Sequence, residues 1–101
     1  MHRKEAIQKL LQDRADELAA MGVRAIGLFG SVARQEDEAG SDVDILVEFD
    51  AGAKTFRNFN RVCDLLEREI GPDFDLVTPE GLSPHIRHFI LKEVEYVAIA
   101  S

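Results

Sequence analysis

The chain is poor in three things: cysteine, basic residues and long apolar runs. Its single cysteine, Cys63, has no partner for an internal disulfide, which excludes a disulfide-stapled secreted scaffold and fits a reducing cytoplasm. Only 12 of its 101 residues are Lys or Arg against 19 Asp or Glu, a formal charge of −7. That deficit argues against sequence-independent binding to DNA or RNA, which needs a surplus of cations to meet phosphates. The apolar runs are a few residues long, well short of the roughly 20 that a membrane-crossing helix requires. No basic start leads into a hydrophobic stretch, so no secretion signal is expected. Glycine and proline are also sparse, 7 and 3 residues, and with 46% apolar residues the balance is that of a folded domain. The length predicts one domain over residues 1–101, with little room for both a catalytic centre and a second substrate.

What is present alternates between helical and strand patterns. Residues 4–21 carry Ile7, Leu10, Leu11, Ala15, Leu18 and Met21 at three- and four-residue spacing, which predicts an amphipathic helix stopped by Gly22. Val23–Phe29 reads as a strand buried on both faces, running into Gly30-Ser31 and a first helical turn, Val32-Ala33-Arg34. After an acidic loop from Gln35 to Ser41, residues 42–49 read as a second strand with acids at its start. Phe56, Phe59, Val62, Cys63, Leu65, Leu66 and Ile70 mark a second amphipathic helix ended by Gly71-Pro72. Phe74–Val77 is a third strand. Ser83-Pro84 then opens a third helix whose buried face is expected to be Ile86, Phe89 and Ile90, and residues 94–99 are read as a last short strand. The expected class is an α/β (α+β) domain, a mixed sheet flanked by helices.

The chemistry concentrates in three places. Gly30-Ser31 lies where a strand turns into a helix, and free N–H groups there with the positive helix end suit a phosphate; the competing reading is that Ser31 only caps the helix. Eleven residues after Ser31 stands Asp42-Val43-Asp44. Carboxylates at i and i+2 of a strand share a face, repel one another and resist desolvation, and a divalent cation such as magnesium or manganese relieves both costs. The alternative is a solvated strand edge. Asp75 interrupts an otherwise apolar third strand; if that strand neighbours the second, three acids surround one point beside a phosphate-binding turn. Such a grouping suits magnesium-assisted phosphoryl or nucleotidyl transfer.

These residues, Gly30-Ser31-Val32-Ala33-Arg34, Ser41-Asp42-Val43-Asp44-Ile45-Leu46-Val47 and Phe74-Asp75-Leu76-Val77, resemble the minimal nucleotidyltransferases of the DNA polymerase β-like superfamily over about residues 20–95. The resemblance implies a nucleotidyltransferase fold, with Asp42 and Asp44 as ligands of two magnesium ions and Asp75 as third ligand or general base. It implies that Gly30 and Ser31 hold the phosphates of ATP. It further implies an antitoxin that transfers AMP to a tyrosine of a small helical HEPN-domain ribonuclease toxin. The family often has glycine after the arginine of the first motif, where this chain has Gln35. Arg34 is open to three readings: a phosphate contact, a pair with Asp42, or an ordinary surface ion pair. A chain with room for the nucleotide half only disfavours a small-molecule acceptor such as an aminoglycoside. A binding module that neutralises its partner without catalysis is the alternative.

Other polar and apolar residues carry bland expectations. His85 and His88 have metal-pair spacing but no third ligand nearby, so solvated helix positions are expected. Cys63, Phe56 and Phe59 read as core. Arg57, Arg61 and Arg68 and the run Glu36-Asp37-Glu38 read as solvated faces.

Overall fold

The computed structural model describes residues 3–99. The predicted first helix is two pieces, α1 (Arg3–Asp13) and α2 (Ala15–Ala20). They are joined by Arg14, whose φ of −101° and ψ of 14° leave helical values. The helical hydrogen bonds nevertheless run on, Arg14 N–H to Leu10 O at 3.0 Å and Leu18 N–H to Arg14 O at 2.9 Å, so the break is a kink. Arg14 turns its guanidinium to Glu69 at 3.1 and 3.2 Å. The remaining elements are β1 (Val23–Phe29), α3 (Gly30–Ala33), β2 (Val43–Phe49), α4 (Phe56–Ile70), β3 (Phe74–Val77), a 3-10 turn (Pro79–Gly81), α5 (Pro84–Glu93) and β4 (Glu95–Val97). Local chemistry sets several boundaries. Thr55 Oγ1 accepts the Asn58 N–H at 3.1 Å at the start of α4, and Gly71 closes that helix at φ +87°. Ser83 does occupy the cap position of α5, but its hydroxyl makes no capping bond there.

The strands form one mixed sheet in the order β3-β2-β1-β4. β1 pairs antiparallel with both β2 and β4, whereas β2 and β3 are parallel, with α4 supplying the crossover that parallel neighbours require. One sheet face, with Ile26, Leu28, Ile45 and Val47, packs with Ile7 and Leu11 of α1, Leu18 of α2 and Val62, Leu65 and Leu66 of α4 into a shared core. Leu46 points to the other face and is also fully buried. At one end of β1 the pattern departs from a strand buried on both sides, since Arg24 is exposed and donates to Glu48 at 2.6 Å.

Two expectations about the core are corrected. Phe56 is 84% exposed, because it is the first residue of α4 and overhangs the end of the apolar stripe. Ile86 and Phe89 are 48% and 66% exposed, and α5 has no fully buried residue. Among the described residues this helix turns only Arg87, Ile90 and Glu93 half inward, a stripe one residue removed from the expected one. Phe59 packs partly buried on the core, and Cys63 is half-buried.

Candidate functional site

The register of the sheet brings the singled-out acids together. Asp44 of β2 lies opposite Phe29, the last residue of β1, on one side and opposite Asp75 of β3 on the other. The same alternation that buries Val43 and Ile45 on the core face therefore turns Asp44 and Asp75 to the opposite face as immediate lateral neighbours. Asp42 precedes β2 and is exposed, two residues along and on the same side as Asp44. Next to this row the chain leaves β1 through Gly30, whose φ is +74°. A Cβ built there would stand 2.1 Å from Asp44 Oδ2, so only glycine lets the carboxylate lie against the turn.

Ser31 is the second residue of α3, and the cap position is taken by Phe29, with no side-chain capping bond. This sets aside the capping reading of Ser31 and leaves its hydroxyl in the first turn, where backbone N–H groups lack intrahelical acceptors. α3 ends in a Schellman arrangement: Gln35 N–H donates to Val32 O at 3.0 Å and Glu36 N–H to Ser31 O at 2.8 Å. Gln35 itself takes φ +59°, a left-handed backbone that favours glycine, so the turn keeps its shape at the cost of some strain.

Electrostatics marks Asp44 out from its neighbours. Burial first, then the charges of Asp75, Asp42 and Glu93, push its carboxyl above the ordinary carboxylate value, while Arg34 pulls the other way. Glu93 was missed by the sequence reading. It lies at the end of α5, 49 positions from Asp44, and only the return of α5 across the sheet brings it close. Arg34 does not pair with Asp42. Its guanidinium is shared between Glu36, at 2.9 Å from Nε, and Glu93, which Nη1 contacts closely. The acidic loop is less free than expected, because Arg3 donates to Ser41 O at 2.7 Å and sits 3.6 Å from Asp37.

Among the described residues, no three His, Cys, Asp or Glu side chains close into a ready-made metal cage. The donor set still fits magnesium, which is commonly held by one or two carboxylates with waters and substrate phosphates completing the shell. Asp42, Asp44 and Asp75 offer hard oxygen ligands whose like charges a cation would relieve, and the exposure of Asp42 and Asp75 leaves the row open to solvent.

Farther along the same face lies a second polar group. Tyr96 donates to Glu48 Oε2 at 2.7 Å while Arg24 holds Oε1. Burial and then the Glu48 hydrogen bond push the Tyr96 phenol up to about 12. Burial acts to raise Glu48, but the bonds from Tyr96 and Arg24 prevail and hold its carboxyl below the ordinary value.

Known proteins resemble this chain over most of its length. The chain is 39% identical over 94 residues to protein adenylyltransferase MntA of Thermococcus cleftensis, covering 92% of this chain and 94% of that protein. Among solved structures, one described as a minimal nucleotidyltransferase matches with a TM-score of 0.70 and 34% identity over 87% of this chain and 93% of its own. A toxin–antitoxin crystallised with AMP-PNP shares the fold, with a TM-score of 0.64 and 22% identity over 98% of this chain and 75% of that one. The profile of the nucleotidyltransferase domain family matches residues 7–97, nearly the full length, and this chain belongs to that family of enzymes as a minimal nucleotidyltransferase.

Proposed function

We propose that this chain is an antitoxin that transfers AMP from ATP to a hydroxyl, a tyrosine, of a HEPN-domain ribonuclease toxin in the cytoplasm. The observation that carries the proposal is the register pairing of Asp44 with Asp75 against the Gly30 turn. The near full-length likeness to a protein adenylyltransferase supports a protein as acceptor. The shared core of the described residues supports one domain, sized for the nucleotide half of the reaction. No described helix is long and apolar enough to cross a membrane.

In this reading Asp42 and Asp44 would hold two magnesium ions, with Asp75 as the third carboxylate. Bound magnesium would neutralise the triphosphate and polarise its α-phosphate. Gly30 and Ser31 orient the β- and γ-phosphates through the first-turn N–H groups and the Ser31 hydroxyl, and Arg34 swings from its carboxylate partners to a phosphate. The acceptor oxygen attacks the α-phosphorus, the bond to the β-phosphate oxygen breaks, and pyrophosphate leaves. Asp75 takes the hydroxyl proton at a carboxylate oxygen, a role its position beside Asp44 allows.

The test is intact-mass spectrometry of the toxin encoded beside this chain after incubation with the protein, ATP and magnesium. Addition of one or more AMP units is expected. An unmodified toxin, with nucleotide demonstrably bound, would overturn the enzymatic reading. If an Asp42→Ala/Asp44→Ala double variant protected cells as well as the wild type, neutralisation would rest on binding and not on transfer.

A further inference from the structure

The face of α5 that the sequence marks as core is bare, and its place in the fold gives it a use. Ile86 and Phe89 lie three residues apart on the outer side of the helix, 48% and 66% exposed. Their presentation is fixed. Arg87 turns inward and donates to Pro79 O at 2.8 Å and Leu82 O at 3.0 Å, pinning the start of the helix. The His88 ring meets Phe89 edge-on at 4.6 Å between centroids. The other end of the same helix reaches the site, where Glu93 holds Arg34 and adds its charge to Asp44. Phe56 is more exposed still, but its one aromatic neighbour along α4, Phe59, is already half-buried against the core.

The charge around this patch is the reverse of the rest of the molecule. From Leu82 to Lys92 there is no acid, in a chain of 19 acids and net charge −7, and His85, His88 and Lys92 are exposed around Ile86 and Phe89. Resting on the proposed function, we infer that the outer face of α5 is the docking surface for the acceptor protein, which meets it with an apolar segment rimmed by acidic side chains. A second copy of this chain is the less suited occupant, because a two-fold pairing of the patch would set the Lys92 face of one α5 against the same face of the other, with no acid between Leu82 and Lys92 to meet it. An acceptor must extend past the patch anyway, to bring its hydroxyl to the Asp75 side of the sheet.

Two variants test this with the toxin as probe: Ile86→Ser/Phe89→Ser and Lys92→Glu. All three side chains are exposed, so the fold is expected to survive, and the charge variant keeps the test open if the apolar one fails to fold. Calorimetric titration of the wild type with toxin should show a complex, and each variant should weaken it by about tenfold or more. Affinity for a fluorescent ATP analogue should stay at the wild-type value, and the KM for toxin should rise with kcat little changed. Wild-type affinity and KM in both folded variants would overturn the docking face while leaving the transfer reaction standing. A wild type that neither binds nor modifies the toxin would overturn the proposed function and this inference with it. Loss confined to self-association in sedimentation, or to RNA binding in a gel shift, would also overturn it.

Discussion

Replacing Asp44 by Asn should disable transfer and, in the metal-free protein, raise stability. Asp44 and Asp75 are register partners on adjacent strands, which places their backbones ~5 Å apart. Two unit charges at about 5 Å repel by ~0.8 kcal/mol in water and by ~3 kcal/mol at an effective dielectric of ~20. Asp44 is half-buried and its neighbours Asp42 and Asp75 are exposed, so solvent screening favours the lower end, and a gain of ~1 kcal/mol is expected, or about 4–8 °C in melting temperature for a domain of this size. The pH dependence has a definite sign. The folded Asp44 carboxyl titrates above its unfolded value, so its penalty is absent below the unfolded carboxylate range and complete above the folded one. The Asn variant should thus gain on the wild type as pH rises through that window and hold the advantage at neutral pH. Added salt should shrink the difference, and magnesium should stabilise the wild type more than the variant. The assay is thermal unfolding of both proteins between pH 3 and 8, in EDTA, in EDTA with salt, and in magnesium. A variant no more stable than wild type at pH 7 in EDTA and low salt, or an advantage undiminished at pH 3, would refute the reasoning.

Further outcomes follow from the same geometry. Gly30→Ala should destabilise by ~2 kcal/mol or more and abolish nucleotide binding, since the new Cβ would meet Asp44 Oδ2 at 2.1 Å on a left-handed backbone; chemical denaturation and nucleotide titration check it. Gln35→Gly should stabilise by ~0.5–1 kcal/mol, because relief of left-handed strain exceeds the added chain entropy; a lower denaturation midpoint would contradict this. Arg34→Ala should leave the melting temperature nearly unchanged and raise the KM for ATP by about tenfold, the loss of one charge-assisted phosphate contact. The Glu48 carboxyl titrates below its unfolded value, so its contribution is present above the unfolded carboxylate range and lost as pH falls through the folded one. Tyr96→Phe should therefore lose stability relative to wild type at neutral pH and converge with it in acid, as followed by an acid titration of both.

Much of this was legible in the residues. Short apolar runs located β1, β2 and β3, and the period-3.6 pattern located α4, to within a residue or so, because each is densely apolar over its length. Gly30-Ser31 and Asp42-x-Asp44 announced themselves by local spacing. Asp75 could be suspected only as an acid in an apolar strand, since its place opposite Asp44 depends on β3 pairing with β2, a long-range choice no short window contains. Glu93 gave no signal at all: it is one more acid at a helix end, and its nearness to Asp44 arises from the path of α5. Ile86 and Phe89 misled for a related reason. Periodicity reports that a helix has an apolar stripe, and it is silent on whether this chain or another covers it. The left-handed turn at Gln35 was hidden because the residue type gives no hint of the glycine-like backbone it adopts.

The most direct test of nucleotidyl transfer by the Asp42, Asp44 and Asp75 site is the intact mass of the toxin partner after incubation with ATP and magnesium, compared across wild type, Asp44→Asn and Asp75→Asn. The expected result is addition of AMP by the wild type and none by either folded variant. A toxin left unmodified by nucleotide-loaded wild type, or modified equally by the variants, would contradict it.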